Sequence, residues 1–413
     1  MHWSEFGIRS SPPMSARSRV ETIPVPLQPV VEQRRTLLQE PLSGVTLEGV
    51  IRSDLFALSP TGVSTEPIAE AAAAFLSALS PEQRARVQFP LDSDAWRSWI
   101  NVHMNFFRHG VMLEELSVTG RQLGLELLRT TLSARGYSHA RGIMRLNEML
   151  AVLSGRPDEY GEWPYFISIF GDPSGGEPWG WQIDGRHLNI NCVIVGDQIV
   201  MTPTFMGSEP CQVESGAFAG TTVFEQEERI GLDLIRSLDR DQAAQALLRP
   251  SIHPDDLPPE LQQPFDGQMR AGAFMDNAVI GNEGVSATAL TDAQRGLLRA
   301  LVGTFVGWTR DGHADVKMTE VDAHLDETWF AWMGSTTDGP FYYRAQSPVV
   351  LIEFDHLPGI VFDNDVPSRH HVHSIVRTPN GGDYGADLLR QHHERFDHTS
   401  GGRSDPHGSG RST

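Results

Sequence analysis

The chain has 413 residues, of which 53 are acidic and 33 basic, giving a formal net charge of −20. This length predicts two domains or one large elaborated one, and this charge excludes a general electrostatic footprint for DNA or RNA. A single lysine, Lys317, in a polar run that reads as exposed, and two cysteines, Cys192 and Cys211, leave no phosphate-binding Gly-Lys-Ser/Thr loop, no thiolate metal site and no disulfide framework.

Residues 1–65 read as an N-terminal extension, partly disordered, rich in Pro and Ser. The start lacks the apolar core of a secretory signal, so a cytoplasmic protein is expected. No run approaches 18 apolar residues, so no membrane partner is expected. Residues 66–398 read as a single large α+β domain, and 399–413 as a Gly/Ser/Arg-rich disordered tail.

Within that domain the first part is helical. Ser80-Pro-Glu-Gln83 has the cap, proline and N3 glutamine of a helix start. Apolar spacing predicts helices over Arg121–Ala134 and His139–Leu153, broken at Gly136-Tyr137. From Trp163 the period becomes two. Strands are expected at Tyr165–Phe170, Trp179–Asn191 and Gln198–Phe205, the last two joined by a Gly196-Asp197 turn. Helices follow at Glu225–Leu248 and Thr291–Trp308. Strands return at Thr328–Trp332, Phe341–Gln346, Val349–Asp355 and His371–Arg377, and Asp387–Phe396 closes as a helix. Leu79-Ser80, Leu238-Asp239 and Leu290-Thr291 each place a capping residue three before a Gln, a shared capping logic. Strands thus gather in two segments, 163–226 and 328–378, which predicts a largely antiparallel sheet packed with helices.

Chemistry concentrates late in the chain. Seven of the 16 histidines lie between His356 and His398. His371 and His373, two apart on a strand, point to one face and are a candidate metal pair. Read as one strand face, His187, Asn189 and Asn191 form a polar stripe, with Trp179, Trp181 and Gln182 leading into it. Glu353 and Asp355 share a face in a run otherwise suited to burial, where carboxylates need a partner or a cation. The expected centre is one divalent transition metal (Fe, Cu, Mn, Ni or Zn) held by His187, Glu353, His371 and His373. Asp355, Arg344 and His392 are the candidate catalytic groups, and Trp179, Trp181, Gln182, Asn189, Asn191, Tyr343 and Gln346 the candidate substrate contacts. GxGxxG, GxSxG and HExxH motifs are absent.

The segments Trp179-Gly-Trp181, Gly185-Arg-His-Leu-Asn-Ile-Asn191, Phe205-Met-Gly207, Tyr343-Arg-Ala-Gln346, Leu351-Ile-Glu-Phe-Asp355, His371-Val-His373 and Asp383-Tyr-Gly-Ala-Asp387 continuing to His392 together resemble the domain-of-unknown-function family 3500, over roughly Pro67 to His398. Where that family carries Asn-His-Ile-His, this chain has Arg369-His-His-Val-His373, a longer segment between Asp355 and His371, and an N-terminal extension. The resemblance implies that these residues form one motif set; it implies no activity. The expected function is a metal-dependent enzyme acting on a small organic molecule, hydrolytic because no oxidative partner motif is visible. The alternatives are a non-haem iron or copper oxidoreductase and a non-catalytic small-ligand-binding protein.

Overall fold

The structure, a computed structural model, describes residues 3–20, 23–263 and 265–396. The tail expected to be disordered, 399–413, lies outside the described residues. The helices are α1 (Gln28–Gln39), α2 (Glu66–Ser77), α3 (Pro81–Val87), α4 (Val118–Thr131), α5 (Ala134–Ser154), α6 (Glu225–Ser237), α7 (Arg240–Ala246), α8 (Asp292–Val306), α9 (His313–Ala323) and α10 (Ala386–Arg395). The strands are β1 (Gln88–Phe89), β2 (Val111–Met112), β3 (Phe166–Phe170), β4 (Trp179–Gly185), β5 (Leu188–Val195), β6 (Gln198–Val200), β7 (Thr204–Ser208), β8 (Leu247–Arg249), β9 (Val285–Ser286), β10 (Trp329–Gly334), β11 (Phe341–Gln346), β12 (Leu351–Leu357) and β13 (Ser368–Arg377). None of these helices is long and apolar enough to cross a membrane.

The fold is α+β. The strands make one mixed, mostly antiparallel sheet in the order β1-β3-β4-β5-β7-β13-β12-β11-β10-β8, with β2 on β3, β6 on β5 and β9 on β10. Only β1–β3 and β8–β10 pair in parallel. The two strand-rich segments are not the whole sheet, because the short β1, β2, β8 and β9 come from outside them.

The three expected capping boxes form. Ser80, Asp239 and Thr291 each accept from the backbone of the Gln three residues on, and that Gln side chain accepts in return. Asp239 also divides the helix expected over Glu225–Leu248 into α6 and α7. Gly136-Tyr137 does not break a helix: α5 starts earlier, at the Ser133 cap, and runs through both. Gly136 is there for close approach, since a Cβ would lie 2.2 Å from the Trp308 carbonyl oxygen. Gln198–Phe205 is interrupted ahead of β7 at Pro203, which cannot donate to a ladder. Lys317 lies half-buried on α9 and donates to Glu320 and to the Val349 carbonyl.

The largest correction concerns Trp179–Asn191. It is a hairpin, β4 and β5, turning at Arg186-His187 with His187 at φ 62°. In this pairing Gln182 faces Asn191 and Asp184 faces Asn189 across the ladder. The even residues of β4 therefore share a face with the odd residues of β5. Trp179 and Trp181 fall on the opposite face.

The sheet's two faces differ in chemistry. One carries Trp181, Ile190, Met206, Val372, Phe354 and Tyr343 and packs against α2, α4, α5, α6 and α8 in the main apolar core. The other is polar yet buried. It bears Gln182, Asp184, Asn189, Asn191, His373, Glu353, Asp355 and Arg344, with Phe205, Leu351 and Ile375 between them. Helix α1, through Val31, and irregular segments cover this face, with Trp99, Ile100, Met104, Phe106, Met269 and Phe274 closing a second apolar cluster over it.

An arm, residues 3–20, crosses two loops on the outside of this cover. Ile8 bridges Phe362, and Arg9 N–H donates to the Val361 carbonyl at 2.8 Å. Asp363 N–H donates to the Gly7 carbonyl, and Ala16 N–H to the Asp158 carbonyl. Arg17 pairs with Glu114 and donates to the Pro157 carbonyl.

Candidate metal centre

Three of the four expected ligands converge. His371 and His373 point to one face of β13, as their spacing requires. His187 reaches them from the β4–β5 turn, which is held by its own N–H donating to the Asn101 carbonyl and its carbonyl accepting from Gly207 N–H. Gly207, opposite His373 on β7, leaves room for both rings: a Cβ there would lie 3.1 Å from the His373 ring and 3.2 Å from that of His187. His373 Nε2 stands 3.1 Å from His187 Nε2 and 3.2 Å from His371 Nε2. All three rings are buried, at 5% exposure or less. Among the described residues these three histidines are the one His/Cys/Asp/Glu group whose ligand atoms, here within 4.8 Å of one another, have the spacing of a metal site.

The surroundings set the protons. The His371 Nδ1 lies 2.6 Å from the Pro358 carbonyl, so it donates and Nε2 keeps a lone pair. The His187 Nδ1 lies 3.1 Å from the Arg186 guanidinium, which can only donate. In the neutral ring the His187 proton then sits on Nε2. His373 has no partner at Nδ1. If its Nε2 is bare, it faces the His371 lone pair; if protonated, it faces the His187 proton. No arrangement of neutral rings satisfies both contacts. Adding a proton is opposed as well: burial, and then neighbouring positive groups, hold His187 and His373 well below the usual imidazole range. Burial lowers His371 too, against the pull of Glu209.

A cation fits this arrangement. A tetrahedral ion at about 2.0–2.1 Å from each nitrogen separates its ligand atoms by about 3.3 Å, close to the two observed spacings. His187 would ligate through Nε2 with its proton moved to Nδ1, so the Arg186 contact would have to open.

Arg186 is itself anchored. It pairs with Glu209 at 2.8 Å, and Glu209 accepts backbone N–H groups from Ile360, Val361 and Phe362. Burial raises the Glu209 carboxyl, but His371, Arg186 and those amides outweigh it and hold it below the usual carboxylate range. Arg186 also lies over the Tyr160 ring at 5.1 Å. Sequence reading missed Arg186 and Glu209. The available signal was a glutamate directly after the Phe205-Met-Gly-Ser208 strand, where burial demands a partner.

Glu353 is not brought into the cluster. Its carboxylate accepts from Arg270 N–H, Ala271 N–H at 2.8 Å and the Tyr342 hydroxyl at 2.6 Å. Asp355 stands directly opposite His373 in the β12–β13 ladder. It accepts from Gln268 N–H at 2.8 Å, and the Gln268 carboxamide, nitrogen toward it, donates to both oxygens. Burial first, with the Glu353 charge adding, pushes the Asp355 carboxyl well above the usual range.

The other expected residues scatter. Gln182 donates to Asn191 at 2.6 Å, and Asn191 to the Pro203 carbonyl, on the histidine side of the sheet. Asn189 faces Asp184 on that side as well. Gln346 donates to the Ile280 carbonyl and Arg344 to Glu283, both farther along the same face. Trp179, Trp181 and Tyr343 belong to the core behind the sheet, where the Tyr343 hydroxyl donates to the Glu227 carbonyl. His392 sits on α10, its Nε2 3.3 Å from Glu177, away from the cluster.

A family model described as a protein of unknown function, DUF3500, matches residues 61–386, which include every residue of this cluster. Comparison with curated proteins and with solved structures gives no match.

Proposed function

The chain belongs to the DUF3500 family, whose description assigns no activity, and from the site we propose that it is a metal-dependent enzyme acting on a small organic molecule, most readily by hydrolysis. The observation that supports this reading is the triangle of buried Nε2 atoms, whose two contacts no set of neutral rings satisfies together.

Three neutral imidazoles bring no negative charge to an ion. An ion held by His187, His371 and His373 would supply Lewis acidity, enough to lower the pKa of a bound water toward about 7 and to polarise a carbonyl. The chain's own residues do the rest. The Pro358 carbonyl fixes the tautomer and direction of His371, and Glu209 anchors the Arg186 guanidinium, which would release His187 Nδ1 when that ring ligates. Burial shifts Asp355, opposite His373 in the ladder, toward its protonated form, the direction required of a group that gives a proton to a leaving atom. Glu353 and Tyr342 fix the adjoining strand face. The separate fixing of Glu353 counts against the two-histidine, one-carboxylate set of non-haem iron enzymes. Copper remains compatible with three histidines.

The test is elemental analysis of the purified protein beside His371→Ala/His373→Ala. About one equivalent of a transition metal, absent from a double mutant with unchanged circular dichroism, is expected. Equal metal content in the two proteins sinks the proposal.

A further inference from the structure

On the histidine face, at the β10–β11 side of the sheet, a polar cleft of about 290 Å³ is lined by Arg249, Arg270, Arg344, Tyr342, Gln268 and Glu283 among others. In a chain of net charge −20, three arginines converge there. Arg344 is only 2% exposed, and a buried guanidinium needs an anionic partner. Its partner is Glu283, at 2.6 Å, whose side chain is 45% exposed and which also reaches Arg270 at 3.3 Å. The Arg249 guanidinium has no ion-pair or hydrogen-bond partner among the described residues. Glu353, opposite Arg344 in the β11–β12 ladder, is a second negative neighbour of that guanidinium, and Glu260 also lines the cleft; Glu283 is the exposed carboxylate that Arg344 shares with Arg270, and Arg249 stands beside them.

We propose that this cleft binds a small organic carboxylate, with Glu283 occupying the position its carboxylate takes. The Glu283 side chain places one carboxylate oxygen between Arg270 and Arg344, accepting from a single nitrogen of each, so a carboxylate oxygen is accommodated there. The strand row beneath the cleft runs toward the histidines, with Asp355 and Gln268 packed in between. Tyr342 stands opposite Asp355 on β12, and Asp355 opposite His373 on β13. With strands about 4.8 Å apart, His373 lies about 10 Å along this row from Tyr342. Resting on the enzyme reading above, the cleft then holds the acid group of that enzyme's substrate. The carboxylate site itself does not depend on a metal.

The experiment is titration of the full chain with succinate and with acetate, at constant ionic strength set by chloride, followed by calorimetry. Glu283→Gln frees both arginines without adding a charge to compete for them, and is expected to bind succinate about tenfold more tightly than the wild type. Arg344→Gln is expected to lose saturable binding, and Arg344→Lys to recover only part of it because the fork is gone. Thermal melts of each variant establish that it is folded. No saturable binding of either acid by folded Glu283→Gln overturns the proposal, as does equal binding by Glu283→Gln and the double variant Glu283→Gln/Arg344→Gln. Metal content, measured on the same samples, reports separately on the histidine cluster.

Discussion

His139 lies between Phe224 and Trp308, with ring centroids 4.5 and 5.4 Å away and no hydrogen-bond partner for Nε2. Burial, the largest cause, pushes its pKa down to about 4. The unfolded chain takes up a proton near pH 6.5, the folded one only near pH 4, so stability is lost as pH falls between those values. The loss is about 3 kcal/mol at its limit. Other groups titrate in the same window, with burial raising Asp184 and Asp266 to about 6 and acting in the opposite direction. A difference between two proteins isolates the histidine. His139→Phe keeps the ring contacts, and its advantage over the wild type should grow by about 3 kcal/mol between pH 7 and pH 4 in urea titrations; a constant difference would mean that His139 is not buried neutral. At this scale the sequence was legible where chemistry is local. His371 and His373 were read from their spacing alone. The tethering of Glu353 and Asp355 by Gln268, Arg270 and Ala271 was not, because no pattern within a strand encodes a contact more than eighty residues away.

Two glycines in helices make opposite demands. In α5, Gly136 backs onto the Trp308 carbonyl, whereas Gly296 in α8 has open space where a Cβ would go. Gly136→Ala should destabilise by about 1–3 kcal/mol despite alanine's better helix propensity. Gly296→Ala should stabilise by up to about 1 kcal/mol. Chemical denaturation of the pair checks both, and equal shifts would mean that propensity alone decides. The same contrast explains what could be read of the elements. Helix starts carried their signal in three adjacent residues, and all three capping boxes formed. The β4–β5 hairpin turns on Arg-His, without the Asn-Gly or Asp-Gly that marks a two-residue turn. Read straight through, the segment puts Trp179 and Trp181 beside His187. Turned, it exchanges the parity of the first strand and sends both indoles to the apolar core. One unrecognised turn thus accounts for Trp179 and Trp181, two of the expected substrate contacts that lie elsewhere.

At the scale of the molecule, a single sheet separates an apolar helical core from a polar buried layer, and antiparallel α+β organisation was legible in the succession of periods. The irregular covering segments were not, since they have no period. The arm before residue 21 lies outside the family match, yet it clips the loop 358–363, which supplies the Pro358 carbonyl to His371 and three amides to Glu209, to the loop that carries Tyr160 beneath Arg186. These clips are a few backbone bonds and partly exposed ion pairs, which open at far lower free energy than the sheet. A chain lacking residues 1–20 should keep its denaturation midpoint within error but surrender metal to a chelator about tenfold faster; identical stripping rates would show that the arm is incidental. Affinity and residence time then have separate owners. The sheet, by fixing three nitrogens, would set how tightly an ion is held at equilibrium, while a peripheral ribbon of chain would set how long each ion stays.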